Sequence, residues 1–184
     1  MEGKPIKNSI REKILEVEEK NDIKLSTVQK ILCATDGPIV TLLDVLYGNV
    51  NLFMLDQHIE NANANIAEKL KINEGEEIDF REVIIIKHSR PLSYGLSYIP
   101  KDRCSDVIIE KLLNEDETTG RIILEHEIET TTKVNKIYTE KPDATLQSLF
   151  HTSEDFLVRE LVLIHDKNII LWCKESYPLS HFQE

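Results

Sequence analysis

The chain is poor in what several common kinds of site and compartment require. It has 22 Lys and Arg against 33 Asp and Glu, a net charge of −11 at pH 7. Sequence-independent nucleic-acid binding sets Lys and Arg against phosphates, so this deficit excludes it as a general role. A small anion in a local basic pocket remains compatible. The three cysteines, Cys33, Cys104 and Cys173, are an odd count with no close pairing. That is the pattern of reduced thiols, not of a disulfide framework. Apolar runs such as 83–86 and 161–164 are far too short to span a bilayer. Residues 1–8 lack the apolar core of a signal peptide. The expectation is a cytoplasmic protein without membrane association. There is no Gly-rich phosphate loop, no nucleotide fingerprint and no nucleophile elbow. The six His residues are scattered, and Glu125-His126-Glu127 has no second ligand set at a metal-binding spacing. No metal and no organic cofactor are therefore expected. Cofactor-free chemistry or plain binding is left.

What is present is a repeat. Residues 81–100 read REVIIIKHSRPLSYGLSYIP and residues 159–178 read RELVLIHDKNIILWCKESYP. They align without a gap at an offset of 78, from Arg81 to Arg159. Arg-Glu falls on Arg-Glu, Ile86 on Ile164, Tyr94 on Trp172 and Pro100 on Pro178. Each copy is an apolar run, a polar turn and a second run, the signature of a β-hairpin.

The repeat extends upstream of each hairpin. Residues 51–60 and the Thr- and Val-rich 129–138 suit strands. Residues 63–72 and 142–150 carry apolar residues at helical spacing. Both copies, about 50–100 and 129–178, thus read strand, helix, strand, strand. Helices are expected within 10–47, with Ser26 as an N-cap and Gly48 as a stop. Between the copies, Ile108, Leu112 and Leu113 suggest another helix and 115–120 a polar loop. Gly120-Arg121 then opens an apolar helical turn. No low-complexity linker separates the halves, and neither alone has enough strands for a stable core. We therefore expect residues 1–184 to form one α+β domain. Its antiparallel sheet should have about six strands, with flanking helices on one face or one end. Hydrophobic content of 41% and charged content of 30% suit a soluble globular chain.

The candidates for chemistry lie where Arg or Glu meets an apolar run. Arg81 and Arg159 open matching strands. A guanidinium held on a rigid strand offers a planar fork to a carboxylate; an exposed Arg-Glu pair on an edge strand would contribute little. Glu175 sits where the first copy has Ser97, so the repeat is broken at a titratable residue beside the apolar stretch 170–173. Facing solvent it would be ordinary. Facing inward it needs a partner, and a carboxylic acid in an apolar pocket can move a proton near neutral pH. Gly120-Arg121 could offer backbone N–H groups to an anion.

Taken together, four features resemble the chorismate lyase-like family, over about residues 25–178. They are Thr35-Asp36-Gly37 before an apolar helix, Phe80-Arg81-Glu82-Val83, Gly120-Arg121, and Glu175 before Tyr177-Pro178. The fold is shared with the UTRA effector-binding domains of bacterial transcription regulators. The resemblance implies a six-stranded antiparallel sheet with helical flaps over a buried pocket. It also implies conversion of chorismate to 4-hydroxybenzoate and pyruvate. Arg81 would hold the ring carboxylate and Glu175 would meet the oxygen at the opposite end of the ring, across from Arg81. The backbone at Thr119, with Gly120, would help bind the carboxylate, and apolar residues near Val40 would cover the ring. The chain departs from the classical enzymes in its hairpin turn, Asp166-Lys167-Asn168, and in Pro38.

The leading expectation is a chorismate pyruvate-lyase acting without a cofactor on a small carboxylate substrate, and possible homo-oligomerisation is compatible with it. The alternative is a non-catalytic UTRA-like domain that binds a small carboxylate. The first 80 residues are acidic and lack a basic recognition helix, which favours the enzyme. A structural or assembly protein would instead show a large exposed apolar patch and no pocket.

Overall fold

A computed structural model describes residues 9–104, 111 and 119–183. The helix expected around Ile108, Leu112 and Leu113 and most of the 115–120 loop lie outside the described residues. Three helices come first: α1 (Ile10–Asn21), α2 (Thr27–Ala34) and α3 (Ile39–Tyr47). The first copy of the repeat is β1 (Asn51–Asn61), α4 (Ala64–Leu70), β2 (Glu77–Lys87) and β3 (Arg90–Pro100). A 3₁₀ turn (Lys101–Arg103) and α5 (Thr119–Glu125) follow. The second copy is β4 (Thr131–Glu140), α6 (Ala144–Phe150), β5 (Phe156–His165) and β6 (Asn168–Pro178).

Local chemistry sets the helix boundaries. Ser9 and Ser26 each build a reciprocal capping box, with Glu12 and Gln29 respectively, ahead of α1 and α2. Such caps contribute about 1 kcal/mol each. Gly48, at φ 73°, ends α3 in a conformation that costs glycine nothing. In the repeat the caps recur in step. Asn63 and Asp143 accept a backbone N–H at the starts of α4 and α6, and Lys71 and His151 end them in the left-handed region.

The six strands form one antiparallel sheet in the order β1-β2-β3-β6-β5-β4. The copies meet at β3–β6, where Leu96 pairs with Lys174. These two are each other's counterparts at the 78-residue offset, so the pseudo-two-fold axis passes between them. The bulges obey the same symmetry. The break at Met54/Asp56 in β1–β2 recurs at Val134/Lys136 in β4–β5, and that at Ile85/Ile86 recurs at Leu163/Ile164. The first pair is offset by 80 residues and the second by 78, so the first copy is two residues longer between its helix and its second strand.

Helices cover both faces of the sheet, which corrects the expectation of one face or one end. On one face Ile14 and Val17 of α1 and Cys33 of α2 pack on Leu161 and Leu171, while Val40 and Leu43 of α3 pack near Ile85 and Leu92. On the other face, Ile66 and Leu70 of α4 pack on Val162 and Trp172, and Leu146 and Phe150 of α6 pack on Ile84 and Val158. The reason is in the strands. Residues 156–162 of β5 are all buried, odd and even alike, so both sides must be shielded from water. Leu32, Leu43 and Leu70 are wholly buried, each contributing about 1.5–3 kcal/mol relative to exposure.

Candidate functional site

Strand alternation gathers the odd-numbered side chains of the four inner strands onto one face. β2 presents Arg81, Val83 and Ile85; β3 presents Ser93, Gly95 and Ser97; β5 presents Arg159, Leu161 and Leu163; β6 presents Leu171, Cys173 and Glu175. All line one cavity of about 340 Å³. Its roof is the 36–40 segment leading into α3, together with Gly120, Ile123 and Leu124 of α5. A mostly apolar enclosure with a few convergent polar groups is the usual form of a small-molecule site.

Two guanidiniums reach this cavity from symmetry-related positions. Arg81 and Arg159 are each only 1% exposed. Both lie on inner strands, which removes the reading of exposed edge-strand pairs. The register distinguishes them: Arg159 pairs with Glu175 across β5–β6, while Arg81 pairs with Ser97 across β2–β3. Arg159 Nε donates to Glu175 Oε2, and its Nη1 donates to the carbonyl of Thr35 at 2.9 Å. Tyr177 Oη donates to the same Glu175 Oε2 at 2.8 Å. Burial opposes the Arg159 charge, but the Glu175 carboxylate beside it more than offsets this and raises its pKa. Burial, reinforced by Glu175, pushes the Tyr177 phenol well up, so it remains an O–H donor.

The roof is fastened at several points. Arg121 Nη2 lies 2.5 Å from Asp44 Oδ2, tying α5 to α3. Burial works against the Asp44 carboxylate, yet the Val50 N–H and Arg121 outweigh it and hold its pKa below the usual value. Thr132 Oγ1 donates to the Asp36 carbonyl at 2.5 Å. Gly120 packs so closely on Pro38 that an added Cβ would lie 2.6 Å from the Pro38 Cβ. Only a residue without a side chain fits this contact.

Arg81, Glu175, Gly120 and Val40, singled out in the sequence, all line this cavity. Thr119 is the first residue of α5, next to Gly120. The register adds two details that the sequence left open. The side chain in contact with Glu175 is Arg159, not Arg81: along β6, Glu175 is two residues beyond Cys173, which shares a row with Arg81 and Ser97. Sheet spacing puts the Cα atoms of Arg81 and Glu175 roughly 12 Å apart. Arg121 turns to Asp44.

Three residues near the site were given no role of their own from the sequence. Tyr177 is the second donor to Glu175. Gly95, opposite Glu175 in the β3–β6 ladder, leaves room on the cavity floor. A glycine inside a strand pattern was the available signal. Asp79 is fully buried two residues before Arg81 and accepts from Gln57 Nε2 at 3.1 Å. Burial raises its pKa, and the Gln57 hydrogen bond and the Arg81 charge only partly counter this.

The thiols are protonated. Burial pushes Cys33 up to about 12 and Cys104 up to about 11, and raises Cys173 well above the usual thiol value. Cys33 is buried and Cys104 and Cys173 are half-buried; at all three burial outweighs any nearby positive charge, unlike the setting of a nucleophilic thiolate. Among the described residues, no three His, Cys, Asp or Glu side chains gather as a metal set, and no helix is long and apolar enough to cross a membrane.

Residues 33–183 match the family described as chorismate pyruvate-lyase Rv2949c-like. The chain belongs to this family. A Methanocaldococcus jannaschii protein named "Putative lyase MJ0807" is 30% identical over 149 residues, covering 78% of this chain and 73% of that protein. Among solved structures, the effector domain of PhnF from Mycobacterium smegmatis superposes with a TM-score of 0.64 at 15% identity, over 79% of this chain and 90% of that one. A GntR-family transcriptional regulator from Bacillus cereus gives 0.61 at 19% identity, over 73% and 94%. At these identities the structures show the fold alone, the UTRA or chorismate lyase-like fold.

Proposed function

We propose that the chain is a chorismate pyruvate-lyase that converts chorismate to 4-hydroxybenzoate and pyruvate. The observation that carries this is the mostly apolar cavity with buried Arg81 toward one end and Glu175 toward the other. A flat ring bearing a carboxylate opposite an oxygen suits that pattern. In the reaction the bond from the ring to the enol-ether oxygen breaks, and its electron pair leaves with the enolpyruvyl group. The ring carbon that carries the hydroxyl loses its hydrogen as a proton. The ring becomes aromatic, and the departing enol takes up a proton as pyruvate.

Most of the driving force is aromatisation, so the site needs chiefly to orient the substrate and exclude water. Arg81 holds the ring carboxylate, helped by the backbone at Thr119 and Gly120. Val40 and its neighbours cover the ring. Glu175 sits at the oxygen-bearing end, where it can hold or pass a proton. This division of roles needs no cofactor.

The test is pyruvate release from chorismate by the purified protein. The expected result is turnover in the wild type and a fall of roughly 10²-fold or more in Glu175→Gln, typical for loss of a positioned acid–base group. Tight 4-hydroxybenzoate binding without pyruvate release would favour the second reading, a UTRA-like carboxylate-binding domain. That reading draws on the fold shared with the effector domain of PhnF.

A further inference from the structure

The hydrogen bonds to Glu175 are unevenly divided. Arg159 Nε and Tyr177 Oη both donate to Oε2. No donor among the described residues reaches Oε1, although Glu175 lines the cavity and its side chain is 13% exposed. The two donors come from different places. Arg159 stands on β5, is almost wholly buried, and is pinned through Nη1 to the Thr35 carbonyl. Tyr177 lies two residues along β6 from Glu175, its ring packed in the core against Phe182. Neither donor can follow a rotating carboxylate without breaking other packing.

We propose that Arg159 and Tyr177 are positioning residues for Glu175. By occupying Oε2 they turn Oε1 toward the ligand, where it meets the oxygen at the ring end opposite the Arg81-bound carboxylate. This rests on the reading of the cavity as an aromatic-carboxylate site. A carboxyl group can carry a proton on Oε1 while Oε2 still accepts from both donors, so the geometry serves Glu175 as donor or acceptor. Through Thr35 the same guanidinium also ties the carboxylate to the roof segment above it. The pseudo-symmetry explains why one copy alone has this device: at the 78-residue offset Ser97 stands for Glu175 beside Arg81, and Ile99, which has no hydroxyl, stands for Tyr177.

The test compares 4-hydroxybenzoate with benzoate by calorimetry, two ligands that differ only in the oxygen that Oε1 would meet. The wild type should prefer 4-hydroxybenzoate by roughly tenfold or more, as for a hydrogen bond to a charged group. Tyr177→Phe removes one hydroxyl and leaves the ring in the core. It should cut the preference to about threefold or less, acting on 4-hydroxybenzoate far more than on benzoate; general loosening would weaken both ligands alike. In a Glu175→Ala background Tyr177→Phe should not change the ratio. A Tyr177→Phe protein with the full wild-type preference overturns the proposal and leaves the cavity reading standing. So does a wild type that binds both ligands equally. A wild type that binds neither removes the aromatic-carboxylate reading, and this inference with it.

Discussion

Replacing Arg81 by Met keeps the length of the side chain and removes its charge. Arg81 is 1% exposed on an inner strand, at the floor of a cavity lined mainly by apolar groups. A ligand carboxylate there has lost its water, and its hydrogen bonds to a charged partner contribute about 1.5–3 kcal/mol. That range corresponds to a loss of roughly 10- to 150-fold in Kd for 4-hydroxybenzoate. Salt should reduce this difference little, because buried pairs are poorly screened. The neutral analogue 4-hydroxybenzamide separates charge from shape: its affinity should change far less. Arg81→Lys keeps the charge without the planar fork and should lie between the two. Asp79 is a second reporter. Its carboxylate, buried nearby, gains from the Arg81 charge, so Arg81→Met should also lower the melting temperature at neutral pH. Calorimetry with both ligands, after circular dichroism has shown a folded variant, decides the matter. Unchanged affinity for 4-hydroxybenzoate, or equal losses for acid and amide, would refute the role of Arg81.

Three further perturbations probe other parts of the molecule. Gly120→Ala gains about 1 kcal/mol in helix propensity but drives a Cβ to 2.6 Å from Pro38; overpacking costs about 1–3 kcal/mol, so chemical denaturation should show a net loss, and a stabilised variant would contradict the contact. Gly95→Val places a branched side chain on the cavity floor, where even a Cβ lies 3.1 Å from Val83 Cγ2; 4-hydroxybenzoate affinity should fall by about tenfold or more, and a wild-type Kd would move the ligand away from Gly95. His181→Gln tests a pH effect. Burial lowers the His181 pKa below 6.5, with Arg90 adding to it. The unfolded chain therefore takes up a proton before the folded one does as pH drops, and stability is lost below about 6.5. Thermal melts of the variant between pH 7.5 and 5 should show a shallower decline than wild type, and parallel curves would exclude His181 as a contributor.

Much of the fold was legible because the repeat is a long-range signal written in local residues. Two hairpins at one offset, each led by a strand and a helix, leave few ways to build a sheet, and the observed order with β3 and β6 at the centre is the symmetric one. The side that the helices would cover was not legible from a search for alternation, because β5 is apolar on both faces. Arg81 and Glu175 stood out by resemblance and by the broken repeat. The Arg159 partner of Glu175 did not, since contact between the two depends on strand register, which a short polar turn and a bulge determine together. Tyr177 was hidden for another reason. A Tyr in an apolar strand reads as core, and its ring is indeed core; only the hydroxyl, two residues from Glu175, carries the function argued for it.

Duplication by itself would give this cavity two equivalent ends. A symmetric floor would present two arginines with the same neighbours, and a ring with different ends could bind either way round. Two departures from symmetry remove that ambiguity. Glu175 in place of Ser97 neutralises Arg159 and makes its end a hydrogen-bonding one, while Ser97 leaves the Arg81 end with no acidic residue at the matching position. Gly95 in place of Cys173 opens space beside Glu175 in the central β3–β6 ladder. Orientation then follows from charge. A carboxylate placed against Glu175 would meet a like charge already paired with Arg159, so that end offers it no net attraction. At the Arg81 end the same group meets a counter-ion. On the proposed reading, a reversed substrate would carry the ether bond away from Glu175. On the proposed reading the broken repeat sets the orientation of the ring, and restoring symmetry with Ser97→Glu should abolish 4-hydroxybenzoate binding while leaving both hairpins folded. A Ser97→Glu protein that still binds the ligand as wild type does would show that orientation comes from elsewhere.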